Sequence, residues 1–130
     1  NIQEMSTIKQ FRLPVKIFIL NNHYMGMVRQ WQELLHGNRL SESYMDSLPD
    51  FVKLAESFGA TGLRTEKPSE IDDLIKEMIK INGSVICDII VDPGENCFPM
   101  IPSGSTHNQM LLGPDDKVDG EISEDGMVLV

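Results

Sequence analysis

The chain has 130 residues, of which 41% are hydrophobic and 24% charged, as expected for one globular domain with a substantial core. Its formal net charge of −9 argues against a nucleic-acid partner or an anionic membrane surface, because both select a basic protein face. Two cysteines are too few for a disulfide framework, and no apolar run approaches the ~20 residues that span a membrane.

A helix, a strand and a second helix are predicted in the first third of the chain. Asn1 and Glu4 have capping-box spacing for a helix that runs to about Phe11. The sequence opens in this helix and without an initiator methionine, so we expect it to be a piece of a longer protein. The fully apolar run Val15–Leu20 predicts a strand buried on both faces, and Met25–Leu35 has apolar residues at helical spacing.

A polar segment, His36–Leu48, predicts a loop before the next elements. Asp50 begins a short helix whose apolar positions recur at helical spacing as far as Phe58, and Gly59 is suited to end it. Thr61–Thr65 then predicts a short strand.

The next helix has the cleanest amphipathic stripe in the chain. Its apolar residues lie between Ile71 and Ile79 at helical spacing. Ser69 and Asp72 are predicted to cap its first turn, and Gly83 follows its end.

A second apolar strand, Val85–Val91, is interrupted only by Cys87 and Asp88, and we interpret Cys87 as a small core residue. Strands that alternate with helices in this way predict an α/β fold. Right-handed crossovers would build a parallel sheet that is covered by helices on both faces.

The regular patterns end near Asp92, after which prolines and glycines become frequent. We therefore divide the chain into an α/β domain over residues 1–92 and an irregular C-terminal arm over residues 93–130. The arm ends in an acidic tail, since residues 115–130 contain six acidic residues and one lysine.

Two asparagines, Asn21 and Asn22, come directly after the first strand. In open parallel sheets, ligands bind beyond the carboxyl ends of the strands. The amide oxygen of Asn22 is a hard, neutral ligand of the kind that suits Mg²⁺ shared with a substrate phosphate. The alternative is that the pair makes only a turn, since Asn tolerates left-handed backbone conformations, and spacing alone favours the turn.

Gly26 and Trp31 are further candidates. Gly26 either allows the backbone to approach a ligand closely or belongs only to a turn. Trp31 lies on the apolar stripe of the second helix, as a core residue would, but its polar neighbours make a partly exposed pocket wall the competing interpretation. The sequence contains no nucleophile–base pair, no Gly-x-Gly-x-x-Gly motif and no Walker loop.

Several longer segments of the chain resemble a known family. These segments are Leu13–Asn22, Tyr24–Glu33, Pro49–Glu56, Gly59–Arg64, Val91–Pro93, Glu95–Asn96 and Pro99–Pro102. They resemble the large catalytic subunit of acetolactate synthase, nearly throughout the chain to about Met110. The Gly-Met-Val-x-Gln-Trp run that ends at Trp31 is quite specific for this family. The Asn21-Asn22 pair is shared by thiamine diphosphate enzymes in general.

The resemblance implies an incomplete thiamine diphosphate-binding fold, with only the closing half of the cofactor motif present. The positions that match cofactor-binding residues are Asn22, Tyr24, Gly26, Met27 and Val28. Asn22 matches the side-chain ligand of Mg²⁺, and Tyr24 matches a ligand that uses its backbone oxygen. The three residues that follow match the segment beside the cofactor diphosphate. The activating glutamate of the family belongs to a distant domain, so we expect no catalytic residue in this chain.

Trp31 matches the residue that lines the substrate tunnel and favours the larger second 2-ketoacid. The implied activity is decarboxylation of pyruvate and condensation of the two-carbon unit with pyruvate or 2-ketobutyrate, in branched-chain amino acid biosynthesis. The implied cofactors are thiamine diphosphate and Mg²⁺, together with FAD bound mainly outside this chain. We expect the isolated 130 residues to be inactive.

The resemblance also implies small-molecule 2-ketoacid substrates and a homodimer or tetramer that binds a regulatory small subunit. The expected compartment is the cytoplasm in a bacterium, or a plastid or mitochondrion in a eukaryote. Two other interpretations stay open. One is another thiamine diphosphate-dependent carboligase or oxidase, and the other is a non-catalytic interaction module of flavodoxin-like build.

Overall fold

A computed structural model describes residues 2–116 of the chain. It contains two compact units. One comprises the described part of Asn1–Asn22 together with Ser47–Asp92, and the other comprises His23–Asp46 together with the described part of Pro93–Val130. The predicted capping residue Asn1 and the predicted acidic tail beyond Asp116 lie outside the described residues.

The first unit is built on a parallel sheet. Its strands are β1 (Lys16–Asn21), β2 (Thr61–Thr65) and β3 (Val85–Ile90). Their order is β1-β3-β2, with both pairs parallel, so the chain crosses over between neighbouring strands as predicted. β3 lies in the centre, and five of its six residues are buried, which explains its almost uninterrupted apolar sequence.

The helices are α1 (Glu4–Gln10), α2 (Gly26–Leu34), α3 (Phe51–Ser57) and α4 (Ile71–Lys80), and 3₁₀ turns form at Pro68–Glu70 and His107–Gln109. Each predicted helix and strand is present, with ends that shift by a few residues. Within the described residues, no helix is long and apolar enough to cross a lipid bilayer.

Helices pack on both faces of the sheet, which confirms the predicted α/β architecture. On one face, Met5 of α1 and Ala55 of α3 pack against Ile86 of β3. On the other face, Met78 of α4 packs against Cys87 and its apolar neighbours in β3. Cys87 is therefore the small core residue that the sequence predicts.

Helix α3 lies very close to β2. A Cβ atom on Gly62 would stand 2.7 Å from both the Cα and the carbonyl oxygen of Val52, so only glycine permits this approach. Asp50 caps α3, because its side chain accepts hydrogen bonds from the backbone N–H groups of Val52 and Lys53. Gly59 follows the helix with φ of 68°, in the left-handed conformation expected after a helix end.

The predicted cap of α4 is wrong. The residue before the helix is Glu70, whose side chain makes no capping hydrogen bond. The fixed φ of Pro68 favours a 3₁₀ turn that runs directly into α4, so Ser69 lies inside this turn instead of preceding the helix. The Glu70 carboxylate instead accepts hydrogen bonds from Thr65 and Lys67.

The second unit contains α2, the polar loop that follows it, and the described part of the C-terminal arm. The segment 93–116 has one 3₁₀ turn and one isolated antiparallel bridge, between Met100 and Leu111, and is otherwise irregular. A second isolated bridge joins Tyr24 to Tyr44.

Candidate functional site

The two predicted asparagines have different environments at the end of β1. Asn21 is the last residue of the strand and is buried, and its Nδ2 donates a hydrogen bond to Oδ1 of Asp88 at 3.1 Å. Asn22 follows the strand and is half-buried. Asn22 thus lies just beyond the carboxyl edge of the sheet, where open α/β folds bind ligands.

The turn after β1 is made by His23 and not by an asparagine. His23 has φ of 58°, in the left-handed region that non-glycine residues rarely adopt. Its carbonyl accepts a hydrogen bond from the backbone N–H of Met45 at 2.8 Å. The prediction that Asn21 or Asn22 itself adopts the turn conformation is therefore wrong.

Tyr24 lies opposite Tyr44 in the isolated antiparallel bridge. The two hydrogen bonds of this bridge flank the pair, and they join Met25 N to Ser43 O and Met45 N to His23 O, each at 2.8 Å. In a flanked pair of this kind the carbonyl of the central residue points away from the partner segment. The rings of Tyr24 and Tyr44 meet edge to face with centroids 5.2 Å apart.

Gly26, Met27 and Val28 form the first turn of α2. The first N–H groups of a helix have no acceptor within the helix and favour an anion. The side chain of Met25, the residue before the helix, makes no capping hydrogen bond in the described chain, and the first turn has no acidic residue. Met27 and Val28 are 57% and 45% exposed, so this turn is accessible from solvent.

Trp31 lies one turn further along α2 and is 44% exposed. Trp31 is therefore not a core residue of the described chain, and its role as a pocket wall stays a prediction. The residue of α2 that is buried is instead Gln30, at 2% exposure.

Gln30 holds part of the C-terminal arm against α2. Its Oε1 accepts a hydrogen bond from the backbone N–H of Cys97 at 2.7 Å, and its Nε2 donates to the Cys97 carbonyl at 3.1 Å. The same Nε2 lies 2.9 Å from the sulfur of Met100. Next to it, Arg29 donates to the Asn96 side chain at 3.1 Å and pairs with Glu33 at 2.8 Å.

A polar network links the three strands of the sheet to α3. Oδ2 of Asp88 accepts a hydrogen bond from Nε of Arg64 at 2.9 Å, and Arg64 also reaches Oδ1 of Asp50 at 3.3 Å. Hydrogen bonding from the backbone N–H of Lys53, together with the Arg64 charge, lowers the pKa of the Asp50 carboxyl.

The oxygen donors near the end of β1 suit a hard divalent cation. The Asn22 amide and the Tyr24 carbonyl are the neutral oxygen ligands that Mg²⁺ accepts, and an uncapped first turn suits a diphosphate. Two ligands do not complete an octahedral site, and residues 2–116 contain no group of three His, Cys, Asp or Glu side chains that could hold a metal ion by itself. The chemical types of these oxygens fit Mg²⁺, and further ligands would have to complete its coordination.

Sequence reasoning missed the residues that organise this region, namely Gln30, Arg64 and Asp88. A charged residue in an apolar strand is a signal for Asp88, since a buried carboxylate requires partners. No comparable pattern marks Gln30, because several polar residues surround it in the sequence.

The family described as "Thiamine pyrophosphate enzyme, C-terminal TPP binding domain" matches residues 1–89. The fold is also similar to the solved structure of a Rhodococcus jostii RHA1 thiamine diphosphate-dependent 4-hydroxybenzoylformate decarboxylase. The TM-score is 0.62 at 23% sequence identity, over 70% of this chain and 17% of that chain.

Curated proteins with similar sequences include acetolactate synthase large subunits. The large subunit from Haemophilus influenzae is 48% identical over 113 residues, which are 86% of this chain and 20% of that protein. The isozyme 3 large subunit from Escherichia coli is 42% identical over 120 residues, which are 90% of this chain and 21% of that protein. The chain thus spans about a fifth of the length of these relatives.

Proposed function

This chain belongs to the thiamine pyrophosphate enzymes, and we propose that it is the C-terminal part of the large catalytic subunit of an acetolactate synthase. The observation that carries the proposal is the identity of 48% to such a subunit over 86% of the chain. Membership of this family also favours a cofactor-dependent enzyme over the flavodoxin-like interaction module that the sequence left open.

In the proposed enzyme, pyruvate loses CO₂ and its two-carbon unit is joined to a second 2-ketoacid. Thiamine diphosphate supplies the electron sink for this chemistry when it is bound. The protein positions the cofactor and the second substrate, and the residues of this chain serve those two tasks.

We propose that Asn22 and Tyr24 anchor the diphosphate through Mg²⁺. The support for Asn22 is its half-buried position directly after β1, at the carboxyl edge of a parallel sheet. The support for Tyr24 is its position two residues after Asn22, just beyond the end of β1. Both oxygens are neutral, so the positive charge of the cation would be balanced by the phosphates and not by the protein ligands.

We propose that Gly26, Met27 and Val28 lie beside the diphosphate. The support is that they form the first turn of a helix whose N-cap residue contributes no side-chain acceptor in the described chain. Trp31 follows on the same helix with 44% of its surface exposed, and we propose that its ring contacts the second 2-ketoacid.

The remaining features of the enzyme are part of the same proposal. Residues 1–92 would be the C-terminal portion of the cofactor-binding domain, and residues 93–130 an arm. FAD would bind mainly outside this chain, and the enzyme would be a homodimer or tetramer with a regulatory small subunit. It would be cytoplasmic in a bacterium, or in a plastid or mitochondrion in a eukaryote.

The test is product analysis with the full-length protein supplied with thiamine diphosphate, Mg²⁺ and FAD. Pyruvate alone should yield 2-acetolactate, and added 2-ketobutyrate should yield 2-aceto-2-hydroxybutyrate. Decarboxylation without either condensation product would favour a different thiamine diphosphate enzyme. Absence of any cofactor-dependent rise in Tm would refute the proposal entirely.

A further inference from the structure

We propose that Asp88 is a positioning residue for the metal ligand Asn22, and that it acts through the side chain of Asn21. The proposal rests on the function proposed above. Asp88 does not touch the cofactor in this scheme. Asp88 holds the carboxyl end of β1 in place, and this sets the position of the amide oxygen of Asn22.

Asp88 is an unusual residue for its location. It lies in the central strand at 1% exposure, between Cys87 and Ile89 of the second core cluster. A carboxylate in such a place is unfavourable unless it is paired and hydrogen-bonded. Its partners come from the two neighbouring strands, Asn21 from β1 and Arg64 from β2.

The two oxygens of Asp88 have separate tasks. Oδ1 accepts from Nδ2 of Asn21 at 3.1 Å, and Oδ2 accepts from Nε of Arg64 at 2.9 Å. The Arg64 charge therefore balances the carboxylate on one side, and the other oxygen is kept for Asn21.

The Asn21 contact runs diagonally across the sheet. In the β1–β3 register, Asn21 lies opposite Ile90, and Asp88 lies opposite Ile19. The side-chain bond thus reaches two residues back along β3, while the backbone carbonyl of Asn21 accepts from the N–H of Val91 at 3.0 Å. Two bonds in different directions hold the residue immediately before Asn22.

Fixing the last residue of β1 matters because the chain turns at once. His23 follows Asn22 in a left-handed conformation, and its carbonyl accepts a hydrogen bond from the N–H of Met45. On the strand side, the residue that holds Asn22 in place is Asn21. Partners of metal ligands that set their orientation commonly change metal affinity by about 10- to 100-fold when they are removed.

The experiment measures Mg²⁺-dependent binding of thiamine diphosphate to the full-length apoprotein by isothermal titration calorimetry, with Tm recorded for each variant. Asn21→Ala removes only the hydrogen-bonding amide, and Asp88→Val removes the acceptor. We expect each to raise the apparent Kd for Mg²⁺ by about 10-fold or more. The double variant should bind Mg²⁺ no more weakly than Asp88→Val alone, because that variant has already lost the Asn21–Asp88 bond.

Two further variants separate positioning from general stability. Asp88→Asn leaves one oxygen for Arg64 and offers an N–H to Asn21, whose amide can turn over so that its oxygen accepts. The bond between the two side chains is then kept, and the Kd for Mg²⁺ should stay within about twofold of the wild type, even with a lower Tm. Asp50→Ala breaks the other contact of Arg64 and removes the α3 cap, but it does not touch Asn21. It should lower Tm and leave the Kd for Mg²⁺ unchanged.

The possible results separate failure of this inference from failure of the proposed function. If the wild-type protein binds no thiamine diphosphate with Mg²⁺, the proposed function fails and the inference falls with it. If the wild type binds both and Asn21→Ala binds them equally well, only the positioning role of Asp88 is overturned. If Asp50→Ala weakens Mg²⁺ binding as much as Asn21→Ala does, the effect is one of general stability and the inference is likewise overturned. Asp88→Val is not needed for these decisions, so failure of that variant to fold leaves the test intact.

Discussion

The side chain of Gln30 pairs with the backbone of Cys97 through both of its polar atoms, as a neighbouring strand would. Oε1 accepts from the Cys97 N–H at 2.7 Å, and Nε2 donates to the Cys97 carbonyl at 3.1 Å. A segment of irregular backbone is thereby satisfied by one buried side chain of α2. The helix that carries Trp31 and this part of the arm are consequently held as one piece.

Replacing Gln30 by Leu should destabilise the protein by about 1 kcal/mol, because the two partly buried hydrogen bonds to the backbone of Cys97 are lost. Chemical denaturation of the full-length protein measures this loss. Gln32→Leu is the matched control, since Gln32 lies on the same helix and also bonds a backbone segment, at Ser41, but does so at the surface. Equal losses in the two variants would contradict the role given to Gln30.

Replacing Asn22 by Ala should weaken cofactor and Mg²⁺ binding by about 10-fold or more, because this variant lacks the amide oxygen proposed to bind the metal. Titration of the apoprotein with Mg²⁺ at fixed thiamine diphosphate measures the change. Asn82→Ala is the control, since Asn82 is an exposed asparagine that precedes β3 at the opposite edge of the sheet. An unchanged titration curve for the Asn22 variant would remove Asn22 from the site.

Replacing Trp31 by Leu should lower the preference for 2-ketobutyrate over pyruvate as the second substrate and leave total condensation largely intact. The reason is that the partly exposed ring offers a larger apolar contact to the larger substrate. Competition between the two substrates, read as the product ratio, is the measurement. Phe11→Leu, which alters an aromatic residue with 69% exposure in the other unit, should leave the ratio unchanged.

The two cysteines should differ in reactivity toward a thiol reagent. Burial raises the pKa of the Cys87 thiol, and Cys97 is exposed. Because the thiolate is the reactive form, Cys97 should be modified first and Cys87 only when the protein unfolds. Peptide mapping after brief labelling, with and without denaturant, tests this order, and rapid labelling of Cys87 in the native protein would contradict the packing described for β3.

The charge of Asp50 should stabilise the fold in a pH-dependent way. Its pKa is lowered in the folded protein, so the stabilisation is present above the ordinary value near 3.8 and is lost as the pH falls through the lowered pKa. Asp50→Asn keeps a good capping residue without the charge. The Tm difference between wild type and this variant should therefore be largest at neutral pH and should shrink below about pH 4. A difference that grows on acidification would contradict this sign.

The fold was largely predictable because periodicity reports burial directly. The apolar run of β3 is buried as predicted, and the stripe of α4 is helical as predicted. The prediction that β1 is buried on both faces is wrong, because β1 lies at an edge of the described sheet and its Phe18 and Leu20 are 46% and 70% exposed. The cap of α4 could not be predicted in the same way. Ser69 and Asp72 have the spacing of a capping pair, but Pro68 favours a 3₁₀ turn that runs into the helix, and the sequence pattern does not show which of the two forms.

The sequence predicts only those residues of the candidate site that lie next to one another along the chain. Asn22 and the start of α2 can be located from sequence because a strand end and a helix start are local features. The apolar stripe of α2 predicts burial incorrectly. Trp31 lies on this stripe but is partly exposed, and the polar Gln30 beside it is buried. The partners of Asp88 lie 67 and 24 positions away, so their meeting depends on strand order, which no local pattern encodes.

The missing side chain of Gly62 has an effect beyond its own position. Arg64 follows two residues later on the same strand and touches both Asp50 on α3 and Asp88 on β3, which requires the helix to sit low over the sheet. A methyl group at position 62 would lift α3 and draw Asp50 away from the guanidinium. Residue 62 thus sets the height of α3 above the sheet, and a substitution there would weaken the Asp50–Arg64 pair although the glycine contacts neither of the two side chains.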